Sequence, residues 1–69
     1  MAVPKPQPAK GILALRRITN RELARHLGCT PEWVGRVLNG YVRPPDRLKA
    51  AVAELTGAPE SELFREEGL

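Results

Sequence analysis

The sequence is poor in the side chains that most often bind metal ions or carry out catalysis. Its 69 residues include one cysteine, Cys29, and one histidine, His26. A single cysteine excludes a disulfide within the chain, and these two residues are too few for a four-ligand zinc site. No acidic residue is placed to orient a base beside them, and no glycine-rich phosphate loop occurs. The sequence therefore predicts no enzyme, no metal and no cofactor. We expect Cys29 to be a small buried residue and His26 a solvated one, with a phosphate contact as the alternative for His26.

Long hydrophobic runs are also missing. Lysine and arginine recur along the chain, so no apolar stretch approaches the roughly 20 residues that a membrane-spanning helix needs. The first ten residues, MAVPKPQPAK, contain no apolar stretch of the kind found in signal peptides. We therefore expect a cytoplasmic protein that binds no membrane, and no pattern points to a small-molecule ligand.

The charges are distributed unevenly along the chain. Residues 1–50 contain ten Lys or Arg and three Asp or Glu, a balance of +7, whereas residues 51–69 contain one Arg and five Glu, a balance of −4. A basic body with an acidic end is typical of nucleic-acid binders, although a charged surface also serves solubility alone. A chain of 69 residues forms one small domain with a thin core, which favours a helical bundle over a sheet.

Residues 1–8 are expected to form a flexible, proline-rich N-terminal arm. Prolines at positions 4, 6 and 8 alternate with Lys5 and Gln7. Proline lacks a backbone N–H donor and restricts the residue before it, so this segment does not favour a helix. The arm is interpreted either as a plain mobile terminus or as a basic arm that lies along DNA. The folded domain is then expected to span residues 9–69.

Hydrophobic spacing predicts two helices in the first part of the domain. The first runs from about residue 9 to residue 17, with Ile12 and Leu15 on its apolar side and Leu13 as a further candidate. The second begins with a capping box, in which Thr19 accepts an amide proton while Glu22 reaches back to the Thr19 amide. It ends near Gly28, and its apolar face consists of Leu23, Ala24 and Leu27.

A third helix follows at once and completes a helix-turn-helix pattern. Thr30 is expected to cap it and Pro31 to occupy its first position. Asn39 and Gly40 end it, and its apolar positions are Trp33, Val34, Val37 and Leu38. The small residue Ala24 and the glycine at the bend allow the second and third helices to cross closely, and the third then stands out from the body.

The remainder of the chain predicts two more helices. The fourth starts at Pro45 or Asp46 and stops at Gly57, with apolar residues at Leu48, Ala51, Val52 and Leu55. A short final helix carries Leu63 and Phe64, and we expect Phe64 to close the core. The fold class is therefore all-α.

These landmarks, taken together from about residue 11 to residue 64, resemble the Cro/phage-repressor (Xre-type) family of helix-turn-helix domains. The resemblance implies a compact five-helix bundle of the lambda-repressor-like type and a sequence-specific regulator of transcription that binds double-stranded DNA. It further implies a small repressor of phage, prophage or bacterial origin that reads the major groove with the third helix. The chain departs from the family pattern where Arg17 replaces a frequent glycine, and where Asn20, Pro31 and Glu32 stand in places that often hold glutamine.

The resemblance places one set of residues at the DNA. Arg36 is the main candidate for reading a base, through guanine O6 and N7, and the alternative is an exposed ion pair with Glu32. Glu32 repels phosphate but accepts from a cytosine amino group. The full set of expected DNA-binding residues is Asn20, Arg21, Thr30, Pro31, Glu32, Trp33, Arg36, Asn39, Tyr41 and Arg43.

Several of these residues have a second interpretation. Asn20 and Asn39 either contact DNA or only cap a helix start and a helix end, respectively. Trp33 either packs inside or lies at the DNA edge, and Tyr41 and Arg43 either touch the DNA backbone or lie in a solvated loop. The two basic residues of the fourth helix, Arg47 and Lys49, are expected to be solvated.

Two further expectations concern partners. The resemblance implies a homodimer formed through the C-terminal helix, with Leu63 and Phe64 at the contact. The alternative function is a helix-turn-helix module that binds another polypeptide, as an antitoxin-like or adaptor protein, and the acidic stretch from Glu60 to Glu67 supports it. Salt dependence separates the two functions, because phosphate binding weakens steeply as salt rises.

Overall fold

The computed structural model describes residues 5–64, and this part of the chain forms five α-helices and no β-strand. Their bounds are α1 Pro8–Leu15, α2 Asn20–Leu27, α3 Pro31–Leu38, α4 Asp46–Thr56 and α5 Glu60–Leu63. The bundle measures 32 × 24 × 21 Å along its principal axes. The expected all-α, five-helix architecture is confirmed.

The first helix begins one residue earlier than expected, and the segment before it is bound to the body. Pro8 is the first residue of α1, where its missing N–H costs nothing. Gln7 is only 4% exposed, and its backbone N–H donates to the carbonyl of Leu38 at 2.8 Å. Gln7 therefore packs against the folded body, and the division into an arm of residues 1–8 and a domain of residues 9–69 stays a prediction. Residues 1–4 of the expected arm lie outside the described residues.

The apolar face of α1 also differs from the expected one. Leu13 and Ala9 are buried, whereas Leu15 is 86% exposed. Residues four apart share a helix face and residues two apart lie on nearly opposite sides, because each residue advances by about 100°. Once Leu13 is buried, Leu15 must point away from the core. Because Ile12, Leu13 and Leu15 are all apolar, the sequence alone did not determine which side of α1 faces the core.

Local capping chemistry sets the ends of α2 as the sequence predicts. The Thr19 hydroxyl accepts from the Glu22 amide at 3.1 Å, and the Glu22 carboxylate accepts from the Thr19 amide at 3.0 Å. Gly28 ends the helix in the left-handed region with φ +74°, where a side chain would be strained. The capping box and the glycine stop are both confirmed.

The ends of α3 and α4 are set in the same way. The Thr30 hydroxyl accepts from the Trp33 amide at 3.2 Å, and Pro31 is the first residue of α3. Asp46 opens α4, and Gly57 ends it with φ +76°. Arg17, in the bend after α1, has φ +60°, so an arginine adopts the left-handed backbone that favours glycine at this place.

The core is formed by buried residues from all five helices. Helix α2 packs against α3 and α4, α4 packs against α5, and α1 packs against α4 and α5. Its largest fully buried side chains are Leu23, Leu48, Leu63, Val34, Val37, Val52 and Thr56. Thr56 keeps its hydroxyl satisfied by donating to the Val52 carbonyl at 2.7 Å. Phe64 is 4% exposed and closes the core as expected. Leu63 and Phe64 are both buried in their own core, and the homodimer expected through the C-terminal helix stays a prediction.

Candidate nucleic-acid interface

Helix α3 has one buried face and one exposed face. Val34, Val37 and Leu38 are buried against the rest of the bundle. Glu32 and Arg36 are exposed and lie one turn apart on the opposite side of the helix. The contact between α2 and α3 is the most extensive helix pairing in the described chain, so α3 is held firmly by its inner face. The pair presents an acidic and a basic side chain to solvent.

The structure does not pair these two side chains with each other. Within residues 5–64, no hydrogen bond or ion pair joins Arg36 to Glu32. The spacing of four residues would allow such a pair, at about 0.2–0.5 kcal/mol. The guanidinium of Arg36 is thus open to an external acceptor, such as the O6 and N7 atoms of guanine.

Asn20 lies beside the middle of α3. A β-carbon placed on Gly35 would come within 3.4 Å of the Asn20 amide nitrogen, so the side chain of α2's first residue reaches across to α3. The helix cap is provided by Thr19 and not by Asn20, so the capping interpretation of Asn20 does not apply. Its neighbour Arg21 is exposed in the first turn of α2, where backbone N–H groups and the helix dipole favour an anion.

Asn39 is engaged inside the chain. Its amide nitrogen donates to the Gly35 carbonyl at 2.9 Å, and its amide oxygen accepts from the Lys10 ammonium group. Its backbone is the C-cap of α3. These bonds favour the helix-ending interpretation of Asn39 over contact with a base, because the oxygen and one N–H are already in use.

The amino end of α3 borders an open cavity of about 370 Å³, lined by Cys29, Thr30, Trp33 and Arg47. Trp33 is half-buried and packs against the core, so its ring serves packing while part of it stays accessible. Cys29 is also half-buried, which is less than the full burial expected for it. Arg47 is exposed, as expected, and its Nη2 atom also donates to the Leu27 carbonyl at 3.2 Å.

The loop after α3 presents two exposed side chains, as its sequence predicts. Tyr41 is 68% exposed and Arg43 is exposed. The backbone of this loop is fixed where it leaves the helix, because the Tyr41 amide donates to the Arg36 carbonyl at 2.9 Å. Both side chains are therefore accessible on a loop whose start is held by α3.

Three further features of the described residues concern exposed basic side chains, metal binding and helix length. His26 is exposed on α2, as expected, and so is Arg25. Within residues 5–64, no group of three or more His, Cys, Asp or Glu side chains could hold a metal ion. In the same part of the chain, every helix is too short or too polar to cross a membrane.

Sequence reasoning missed three residues that support this surface. Gly35 carried a signal, since a glycine inside a helix costs about 1 kcal/mol relative to alanine and often marks a close approach. Gln7 and Lys10 showed no such signal in the sequence, because their bonds to the end of α3 form only when the start of α1 lies against that end.

Comparison with known proteins agrees with this geometry. A family model described as a helix-turn-helix domain matches residues 14–65, more than half of the chain. A search of curated proteins and a search of solved structures each gave no match. The matched range contains the capped α2, the glycine turn and the exposed α3. The chain belongs to the helix-turn-helix domain family, of the Xre/Cro-like type, whose members are generally DNA-binding regulators.

Proposed function

We propose that this protein is a sequence-specific regulator of transcription that binds double-stranded DNA and reads the major groove with α3. The observation that carries the proposal is the placement of Arg36. Its side chain is exposed and unpaired within the described chain, on the face of α3 opposite the buried Val34 and Val37. A major groove about 12 Å wide accepts one α-helix presented in this way.

Each residue of the candidate interface has a proposed role. Arg36 reads guanine by two parallel hydrogen bonds. Glu32, one turn of α3 before Arg36, accepts a hydrogen bond from the amino group of a cytosine. Asn20 and Arg21 bind phosphate at the start of α2. The remaining contacts, with the DNA backbone or the groove edge, involve Thr30, Pro31, Trp33, Tyr41 and Arg43.

Asn39 is proposed to act on DNA indirectly, by ending the helix, because its side chain already bonds to Gly35 and Lys10. The protein is proposed to act as a repressor in the cytoplasm of a phage-infected or other bacterial cell, where occupying an operator excludes polymerase. This role requires no catalysis and no cofactor. If the protein binds as a homodimer, the contact must use a surface other than the side chains of Leu63 and Phe64, which are buried.

Selection of bound DNA from a random pool tests the proposal. We expect enrichment of one short sequence that contains guanine, and binding that weakens by a log–log slope of about −0.9 for each phosphate contact as salt rises. An inverted repeat would indicate a dimer with two half-sites about one DNA turn apart, and a single site would indicate a monomer. Failure to enrich any sequence would overturn the proposal.

A second candidate function is binding of another polypeptide. It is favoured by the exposure of Leu15 and by an open cavity of about 310 Å³ lined by Ile18, Glu22, Arg25, His26 and Leu55. Exposed apolar groups of this kind can mark a protein contact. Such binding would change little with salt, in contrast to phosphate binding.

A further inference from the structure

The carboxyl end of α3 is capped by a segment that is distant in sequence. The last four carbonyls of a helix lack partners within it. Three of those in α3 are satisfied nearby: Gly35 by the Asn39 amide, Arg36 by the Tyr41 amide and Val37 by the Gly40 amide, at 2.9, 2.9 and 3.1 Å. The fourth, on Leu38, accepts from the backbone N–H of Gln7 at 2.8 Å. The end of α3 is therefore completed by the chain that leads into α1.

A side-chain hydrogen bond joins the same regions. The Lys10 ammonium group donates to the Asn39 side chain across a separation of 29 residues. A positive charge near a helix carboxyl end is favourable because the helix dipole is negative there. Gln7 itself is 4% exposed, so its backbone N–H bond is shielded from water.

Gly40 allows the segment to approach closely. Its backbone has φ +90°, and a β-carbon there would overlap the Lys5 carbonyl oxygen and lie 3.0 Å from the carbonyl carbon. Gly57 has a similar φ of +76°, but among residues 5–64 no atom beyond its chain neighbours lies within 4 Å of its β-carbon position. Gly40 is therefore needed for two reasons, the backbone conformation and the contact with Lys5, whereas Gly57 is needed only for the first.

We propose that residues 5–10 are a positioning element that fixes the carboxyl end of α3, and hence the angle at which Arg36 meets a base. This inference rests on the proposed function of α3. Recognition groups must be held to within about 0.5 Å by the residues behind them. Gln7 and Gly40 are thus positioning residues for base reading: losing their contacts lowers sequence discrimination while the phosphate contacts of Arg21 and Arg43 remain.

The first test compares Gln7→Pro with Gln7→Ala in the full chain. Gln7 has φ −74°, which suits proline, but the proline Cδ takes the place of the N–H and meets the Leu38 oxygen, which lies 2.8 Å from the Gln7 nitrogen. Gln7→Pro therefore removes the bond and pushes the segment away from the end of α3, whereas Gln7→Ala loses only the side chain. We expect the amides of Asn39, Gly40 and Tyr41 to exchange at least about fivefold faster in Gln7→Pro than in Gln7→Ala, because the loss of one hydrogen bond alone has an effect of that size. The amide of Val52, in the core, serves as internal reference.

The second test compares Gly40→Ala with Gly57→Ala. Both variants carry the strain of a positive φ, and we expect both to lower the melting temperature. Only Gly40→Ala should also speed amide exchange at the end of α3 and lower the ratio of specific to non-specific DNA affinity. Neither variant should change the salt slope, because neither removes a cation.

The outcomes separate this inference from the proposed function. Exchange is measured on the free protein, so equal exchange in Gln7→Pro and Gln7→Ala overturns the positioning role whatever the protein binds. The variants could also speed amide exchange at the end of α3 and leave the ratio of specific to non-specific DNA affinity unchanged. Residues 5–10 would then cap α3 without controlling base reading, and this result also overturns the inference. If the unaltered protein binds no DNA sequence selectively, the proposed function fails, and the inference fails with it. If Gln7→Pro does not fold, amide exchange at the end of α3 is compared in Lys10→Met instead. Lys10 is exposed, and Lys49→Met is the control.

Discussion

The guanidinium of Arg47, near the start of α4, donates a hydrogen bond to the carbonyl of Leu27 at the end of α2, with an Nη2–O distance of 3.2 Å. Leu27 is the last residue of α2, so its carbonyl has no partner within the helix. The bond ties α4 to the turn between α2 and α3, beside Thr30 and Trp33. It therefore helps to hold the start of α4 against the end of α2.

Replacing Arg47 with methionine should lower the free energy of unfolding by about 0.5–1.5 kcal/mol, the usual net contribution of one hydrogen bond. We expect the lower part of this range because Arg47 is exposed. Urea denaturation followed by circular dichroism measures the change. Lys49→Met is the matched control, because Lys49 is a basic residue of the same helix without this bond. Equal effects of the two variants would show that the bond to Leu27 adds nothing.

The burial of Leu13 and the exposure of Leu15 predict opposite mutational effects. Leu13→Ala should destabilise the protein by about 2–5 kcal/mol, because it leaves a cavity in a packed core. Leu15→Ala should change stability by no more than about 0.5 kcal/mol, because 86% of Leu15 is already exposed. Thermal unfolding of both variants checks the orientation of α1. A larger loss in Leu15→Ala than in Leu13→Ala would mean that α1 is rotated from the orientation described.

The capping box of α2 predicts a graded effect at Thr19. Thr19→Ala removes the hydroxyl that accepts from the Glu22 amide, and should cost about 1 kcal/mol of stability. Thr19→Ser keeps a hydroxyl in place and should retain most of that stability. Ser61→Ala, an exposed hydroxyl in α5, is the control. A serine variant as unstable as the alanine variant would contradict the capping role.

The parts of the fold that could be predicted from the sequence are those set by neighbouring residues. Thr19, Thr30 and Gly28 define helix ends through bonds and backbone angles within a few positions, and all three act as predicted. The pattern of buried residues in α2 and α3 also follows from spacing alone. The exposed position of Arg36 follows from the same spacing once Val34 and Val37 face inward.

The parts that could not be predicted depend on how distant segments meet. The bonds from Gln7 to Leu38 and from Lys10 to Asn39 exist because the start of α1 lies against the end of α3. The prolines on either side of Gln7 correctly predict that Gln7 itself is not helical. A non-helical segment can still pack against the body of the protein, as Gln7 does at the end of α3. The resemblance to relatives with a dimer contact did not reveal that this chain uses Leu63 for its own core.

The central claim is that α3 reads bases through Arg36, and one binding measurement tests it most directly. Wild type, Arg36→Ala and Arg21→Ala are titrated against the selected duplex and a scrambled duplex at several salt concentrations. We expect Arg36→Ala to lower the specific-to-non-specific ratio by roughly 5- to 150-fold, equivalent to about 1–3 kcal/mol. We expect Arg21→Ala to weaken both duplexes alike and to reduce the salt slope by about 1. An Arg36→Ala variant that keeps both its discrimination and its affinity would contradict the account.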